Sequence, residues 1–147
     1  MGMTLKGRKM VINRKPKHKI QTRDDNCTSA CLAMILHKDV DVVTAEFHDL
    51  FFAGKTTPAD YLRKHDRIVR AFSSLKHVML FGHVYLLCVP SLNKEATLHS
   101  IIADTLDDVV EIYDPSRGTG HKYYVYEDSE DPLAVRMKGF VIDLEII

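Results

Sequence analysis

The chain predicts an α+β fold, with N-terminal helices packed on a C-terminal antiparallel sheet of about five strands. Three observations carry this expectation. Between residues 27 and 72 apolar residues recur at helical spacing, and from residue 84 onward they fall in short runs of strand length. The punctuation changes with them, from N-cap residues and an N1 proline to Pro90 and aspartate-rich turns. At 147 residues, with 46% hydrophobic and 27% charged content, the chain has the size and composition of one globular domain. Residues 1–147 therefore read as a single unit with 1–17 as a basic N-terminal arm.

Met10-Val11-Ile12 reads as a short strand before Lys15-Pro16-Lys17. The segment from Ile20 to Asn26 is polar and turn-like. It ends on Asp24, Asp25 and Asn26, all good N-cap types for a helix from about Cys27 to His37. Ala30, Cys31, Met34 and Ile35 form the apolar stripe of that helix, with Cys27 one turn before it. A second helix is expected after Thr44, running through Phe47, Leu50 and Phe51 to Gly54, a C-cap type. A third starts at Thr57-Pro58-Ala59-Asp60, where Thr57 caps, Pro58 takes the first helical position and Asp60 lies in the positive first turn. Tyr61, Leu62, His65, Ile68, Val69 and Phe72 then share one helical face. The strands follow: Val84–Val89, ended by Pro90; Thr97–Ala103; Val109–Tyr113; Tyr123–Tyr126; and Gly139–Leu144.

Charge and cysteine content narrow the class. No run approaches the roughly 18 apolar residues of a membrane span, and no apolar segment follows the basic N-terminus as in a signal peptide. Three cysteines cannot all pair, so reduced thiols and a cytoplasmic site of action are expected. The net charge of zero conceals an asymmetry. Residues 1–23 hold eight Lys/Arg and no acid, whereas residues 104–147 hold eleven acids and four Lys/Arg. The simplest expectation is mutual attraction of the two ends, or two solvated faces. The basic residues are interrupted by Pro16 and apolar residues with no recognition motif beside them, so no nucleic-acid partner is expected.

The stretch LHSIIADTLDDVVEIYDP, residues 98–115, carries more chemistry. A hairpin with Leu106-Asp107 as its two-residue loop sets His99 directly across from Asp114. With Asp107-Asp108 as the loop, Asp114 becomes a diagonal neighbour on the same face. Only an odd loop separates the two. A carboxylate on one imidazole nitrogen fixes the tautomer and leaves the other nitrogen to work. Cys27 stands where a helix begins, and the helix N-terminus together with a nearby imidazolium stabilises a thiolate. Gln21, six positions before Cys27, has a side-chain amide able to donate to a developing oxyanion, alongside the Cys27 backbone N–H.

The order Gln21-x5-Cys27, a helix reading Ala-Cys-Leu-Ala-Met, His99 on a strand and Asp114-Pro115 closing the next resembles the papain-like superfamily. Within it, the likeness is to the compact peptidase domains that cut double-glycine leaders in bacteriocin exporters, and to their stand-alone relatives. It covers roughly residues 18–120, and IYDPSRG is similar to the family's aspartate segment. The resemblance implies a cysteine peptidase in which Cys27 is the nucleophile, His99 the general base, Asp114 its orienter and Gln21 the oxyanion donor. It implies a peptide or protein substrate and no cofactor. Thr28 departs from the pattern, since glycine usually follows the nucleophile, and a side chain there narrows the approach to the thiol.

Two alternatives stay open beside the peptidase. A weak or inactive papain-fold module would grip a peptide or protein partner, and related deamidases and acyltransferases use the same three groups. A metal site is the lesser reading of Cys27-x3-Cys31, because no second cysteine pair exists and no histidine has ligand spacing. Cys31 and Cys88 are both expected in the core. His65 is expected as a satisfied core histidine, and His18, His37, His48, His77 and His121 have no evident partner.

Overall fold

A computed structural model describes residues 13–71 and 78–147. The helices come first: α1 (Cys27–Leu36), α2 (Val40–Val43), α3 (Asp49–Phe52) and α4 (Pro58–Lys64), with a π-helical segment, Thr44–His48, joining α2 to α3 without a break. The strands are β1 (Val69–Ala71), β2 (Val84–Pro90), β3 (Leu98–Asp104), β4 (Glu111–Tyr113), β5 (Tyr123–Val125), β6 (Ala134–Arg136) and β7 (Val141–Ile146). Five of them form one antiparallel sheet in the order β1-β7-β2-β3-β4, and β5 and β6 pair in parallel apart from it. The class is α+β with a mostly antiparallel sheet. No helix among the described residues is long and apolar enough to cross a membrane.

Helix α1 is the axis of the molecule. Ala30, Cys31, Leu32, Ala33 and Met34 have no exposed surface, and burial of a side chain such as Leu32 or Met34 contributes about 1.5–3 kcal/mol. They pack with Val84, Leu86, Ile102, Leu144 and Ile146 of the sheet. The alternate residues of the same strands, Tyr85, Leu87, Val89, Ile101 and Ala103, form a second core on the far face with Tyr124 and Ile142. Both faces of β2 and β3 are covered, which is why Val84–Val89 reads as a continuous apolar run.

Several boundaries differ from the sequence expectation. The second helix starts at Val40 rather than after Thr44, because the Asp39 carboxylate accepts the Asp41 and Val42 N–H groups as an N-cap. The β-branched Val-Asp-Val-Val run conceals that start. The third helix begins as expected, with the Asp60 N–H donating to Thr57 Oγ1 at 3.1 Å, but it stops at Lys64. Asp66 turns the chain with φ of 64°, and Val69–Ala71 becomes the edge strand beside β7. Ile68 accordingly lies 67% exposed rather than on an inner helical face, and Phe72 lies outside the described residues. The sheet has five strands, but β1 belongs to it and Tyr123–Val125 does not. The strand expected at Met10–Ile12 and most of the basic arm lie outside the described residues.

The attraction between the oppositely charged ends does occur at Lys15. Its ammonium sits 2.7 Å from the buried Asp104 carboxylate and also meets Asp107 and Glu111. Arg14 donates to the Gly82 carbonyl at 2.8 Å. These contacts seat the start of the described chain against the closed end of the β3–β4 hairpin.

Candidate active site

The hairpin register decides where His99 and Asp114 meet. Ile102 pairs with Tyr113, Ala103 with Ile112 and Asp104 with Glu111. This is the register of the Asp107-Asp108 alternative, so Asp114 is the diagonal neighbour of His99. His99 Nε2 lies 2.7 Å from Asp114 Oδ1. The pairing of β4 stops at Ile102, so the Leu98–Ile101 part of β3 has no strand on that side among the described residues, and His99 is left beside open space.

Asp114 is only 1% exposed, and its charge is met from several directions. The Ser116 N–H donates to Oδ1 and the Tyr124 N–H to Oδ2, each at 2.8 Å. Its carbonyl takes the His18 ring at 3.0 Å, giving that histidine a partner the sequence did not suggest. Ser116 Oγ adds a contact to His99 Nε2 at 3.4 Å and donates to Gln21 Oε1 at 3.3 Å. With Nε2 engaged by Asp114 and Ser116, Nδ1 is the nitrogen left for other work.

Cys27 opens α1. Its cap residue, Asn26, is buried and makes no side-chain bond to the helix. The Asn26 side chain instead accepts the Arg23 N–H at 2.9 Å and donates to Thr22 Oγ1 at 3.0 Å and Thr44 Oγ1 at 3.1 Å. The positive end of the helix is therefore not capped by a side chain beside the thiol. His99, the Ser100 backbone and the Thr28 hydroxyl are the polar groups that act on the Cys27 thiol. Thr28 Oγ1 in turn lies 2.9 Å from Ser100 Oγ. The hydroxyl that the sequence places beside the nucleophile is thus turned onto β3.

These contacts separate the three thiols. Burial drives the Cys27 pKa upward, but His99, Ser100 and Thr28 outweigh it, and the thiol falls below its ordinary value. Burial drives His99 downward, but Asp114 and Cys27 hold the proton, and its pKa is pushed up to about 9. Both shifts favour the thiolate–imidazolium form of the pair. Cys31, one turn further on, is fully buried, and burial pushes its pKa well above the ordinary value. Cys88 is raised as well, by burial and by the neighbouring Asp143 and Cys27. Cys88 differs from expectation, since it is half-buried and lines the same cleft as Cys27. Cys31 is core, as the sequence suggests.

Gln21 is brought to the site by its backbone, whose N–H donates to the Pro115 carbonyl at 3.0 Å. Gly118 allows this approach. Its φ is +99°, and an added Cβ would stand 2.8 Å from Ile20 Cδ1. The Gln21 amide does not stand free, because its Nε2 donates to the Arg23 carbonyl at 2.8 Å. Gln21 thus joins the His99–Asp114 side through Ser116. The sequence reading did not single out Ser116 or Ser100. Their places, two residues after Asp114 and one after His99, are the only cue the chain offers.

Two hollows meet at His99. One, of about 400 Å³, is walled by Cys27, Thr28, Phe51, Phe52, Cys88 and Asp143. The other, of about 410 Å³, is walled by Gln21, Arg23, Asn93, Ser116 and His121. Asp24, Ser91 and Lys94 are common to both, and Lys94 Nζ lies 3.7 Å from Asp24 Oδ2 where they join. The π-helical segment and α3 supply the aromatic wall. Phe47 is buried and stacks on Phe51 at 4.9 Å, and the buried His48 stacks on Phe52 at 4.4 Å. Among the described residues, no group of three His, Cys, Asp or Glu side chains is placed to hold a metal ion. In comparisons with protein-family models, curated proteins and solved structures, the chain matches none of them.

Proposed function

We propose that the chain is a papain-like cysteine peptidase, a thiol hydrolase that cuts a peptide or protein substrate with Cys27, His99 and Asp114. One observation carries this reading: His99, held with Nε2 2.7 Å from the buried Asp114 carboxylate, shares the wall of one hollow with Cys27, the least basic of the three thiols. A nucleophile, a base and an orienter in hydrogen-bonded succession are what acyl transfer through sulfur requires.

In this reading the Cys27 thiolate attacks the carbonyl carbon of the scissile bond. The carbon–sulfur bond forms, and the π electrons move onto oxygen. The Cys27 N–H at the uncapped helix start stabilises that oxyanion, and Gln21 assists after exchanging its bond to the Arg23 carbonyl for one to the substrate. The tetrahedral species collapses, the carbon–nitrogen bond breaks, and His99 passes its proton to the departing amine. Neutral His99 then takes a proton from water. The resulting hydroxide attacks the thioester carbonyl, the carboxylic acid departs, and thiolate and imidazolium are restored. Asp114 stabilises the imidazolium throughout and keeps its ring oriented. The Ser100 N–H and the Thr28 hydroxyl hold the sulfur in its anionic form.

The engagement of the Gln21 amide by Arg23 favours a second reading, a module that grips a peptide without cutting it. Turnover separates the two. Incubation with a mixture of peptides of diverse sequence, read by mass spectrometry for new termini, should give products with the wild type and none with Cys27→Ala. Product formation at an undiminished rate in Cys27→Ala overturns the peptidase reading.

A further inference from the structure

The pairing of β7 with β2 slips by one residue at Asp143. Leu86 lies opposite Leu144, but Leu87 lies opposite Ile142, so Asp143 is the extra residue of a β-bulge. The slip has a visible effect on the core. Leu144 packs with α1 and Ile142 packs on the far face of the sheet, although the two are only two residues apart. A bulge frees its extra residue from the alternation of the strand and re-aims its side chain. Here that side chain joins Cys27, Thr28 and Cys88 in the wall of the nucleophile's hollow.

Three carboxylates line this hollow, and two are satisfied. Asp24 faces Lys94 at 3.7 Å, and Asp25 takes the Arg23 guanidinium at 3.0 Å. Asp143 is exposed to the solvent that fills the hollow, and it has no hydrogen bond and no ion pair among the described residues. The remaining wall is apolar where Phe51, Phe52, Pro58 and Leu98 contribute. An apolar channel with one unanswered carboxylate fits a side chain with a hydrocarbon stem and a cationic head.

We propose that Asp143 is the specificity residue of this cleft and selects a peptide with a lysine or arginine side chain close to the bond that Cys27 attacks. The inference rests on the peptidase reading and names its substrate class. The long stem lies along the phenylalanines, and the ammonium or guanidinium reaches Asp143.

Matched peptidyl chloromethyl ketones provide the test, carrying lysine or norleucine at each of the three positions before the ketone. Iodoacetamide, which has no side chain to recognise, reports the thiol alone. Labelling of Cys27 is followed by mass spectrometry. The lysine probe should react at least roughly tenfold faster than its norleucine partner at one position, as expected for a charge-assisted contact. Asp143→Asn should bring that ratio to about one, with both ketone rates read relative to the variant's own iodoacetamide rate. In the wild type, raising the salt concentration should shrink the ratio, a check that does not depend on how the variant folds. Equal rates for the two ketones at every position, with rapid iodoacetamide labelling of Cys27, overturn the Asp143 inference and leave the nucleophile intact. A ratio that survives in Asp143→Asn also overturns it. Slow, equal iodoacetamide reaction at all three thiols, with neither ketone labelling Cys27, overturns both readings.

Discussion

The β3–β4 hairpin holds a buried aspartate at each end, and the two differ in what they do. At the closed end, Asp104 is 1% exposed and lies 2.7 Å from the Lys15 ammonium, with the Leu106 N–H and the Tyr113 hydroxyl as further donors. At the open end, Asp114 is equally buried and lies 2.7 Å from the His99 ring, with two backbone N–H donors. In burial, distance and donor count they are near twins. The difference lies in the cation. Lys15 has its pKa raised further by Asp104 and Glu111 against the effect of burial, so it keeps its proton at any ordinary pH. His99 is held at about 9, in part by the Cys27 thiol. A buried carboxylate–cation pair is thus a tether when the cation cannot release a proton, and a candidate catalytic pair when it can and a nucleophile stands behind it.

The largest expected effect breaks this parallel directly. Asp114→Asn removes the charge that holds the imidazolium and should lower kcat/KM by about 10⁴-fold, the scale seen when an orienting aspartate is lost. Asp104→Asn should leave kcat/KM within about threefold and instead cost roughly 1–2 kcal/mol of stability, a few degrees in a thermal melt. Similar losses of activity in both variants would erase the distinction.

The pH profile sharpens it. His99 has a raised pKa, so its charged form persists as pH rises and is lost through about 9. The Cys27 pKa is lowered, so the thiolate is lost only as pH falls below the ordinary thiol range. A plot of kcat/KM against pH should therefore be bell-shaped, with its alkaline limb near 9 and its acid limb below the free thiol value of about 8.5. In His99→Ala the Cys27 thiol should titrate upward, toward or beyond about 8.5. An unmoved thiol in that variant would disconnect the pair.

The smallest effect concerns Thr28. Thr28→Val keeps the shape and removes the hydroxyl shared with Ser100 and the Cys27 sulfur. It should slow turnover by roughly 2- to 10-fold, the worth of one ordinary hydrogen bond, and move the acid limb upward. A faster enzyme would mean that the side chain obstructs the thiol rather than supporting it.

The His99–Asp114 pairing was more legible in the sequence than the order of the sheet. Residue parity in the hairpin was enough to set His99 and Asp114 on one face for either even loop, because strand periodicity is short and local. Thr57-Pro58 marked a helix start because capping chemistry is equally local. The strand at Val69–Ala71 was concealed because it continues the apolar spacing of α4, and only its pairing with β7, some 75 residues away, makes it a strand. The bulge at Asp143 and the cleft position of Cys88 depend on the same long-range pairing of β2 and β7. Thr28 read as an obstruction because its contact, Ser100, lies 72 residues away.

The pairing of Cys27 with His99 is tested most directly by the rate of iodoacetamide alkylation at each thiol as a function of pH, read residue by residue. Cys27 should react far faster than Cys31 and Cys88 at neutral pH, with a midpoint well below about 8.5 that is lost in His99→Ala. Equal, slow reaction at all three thiols, with a Cys27 midpoint at or above the free thiol value, would contradict it.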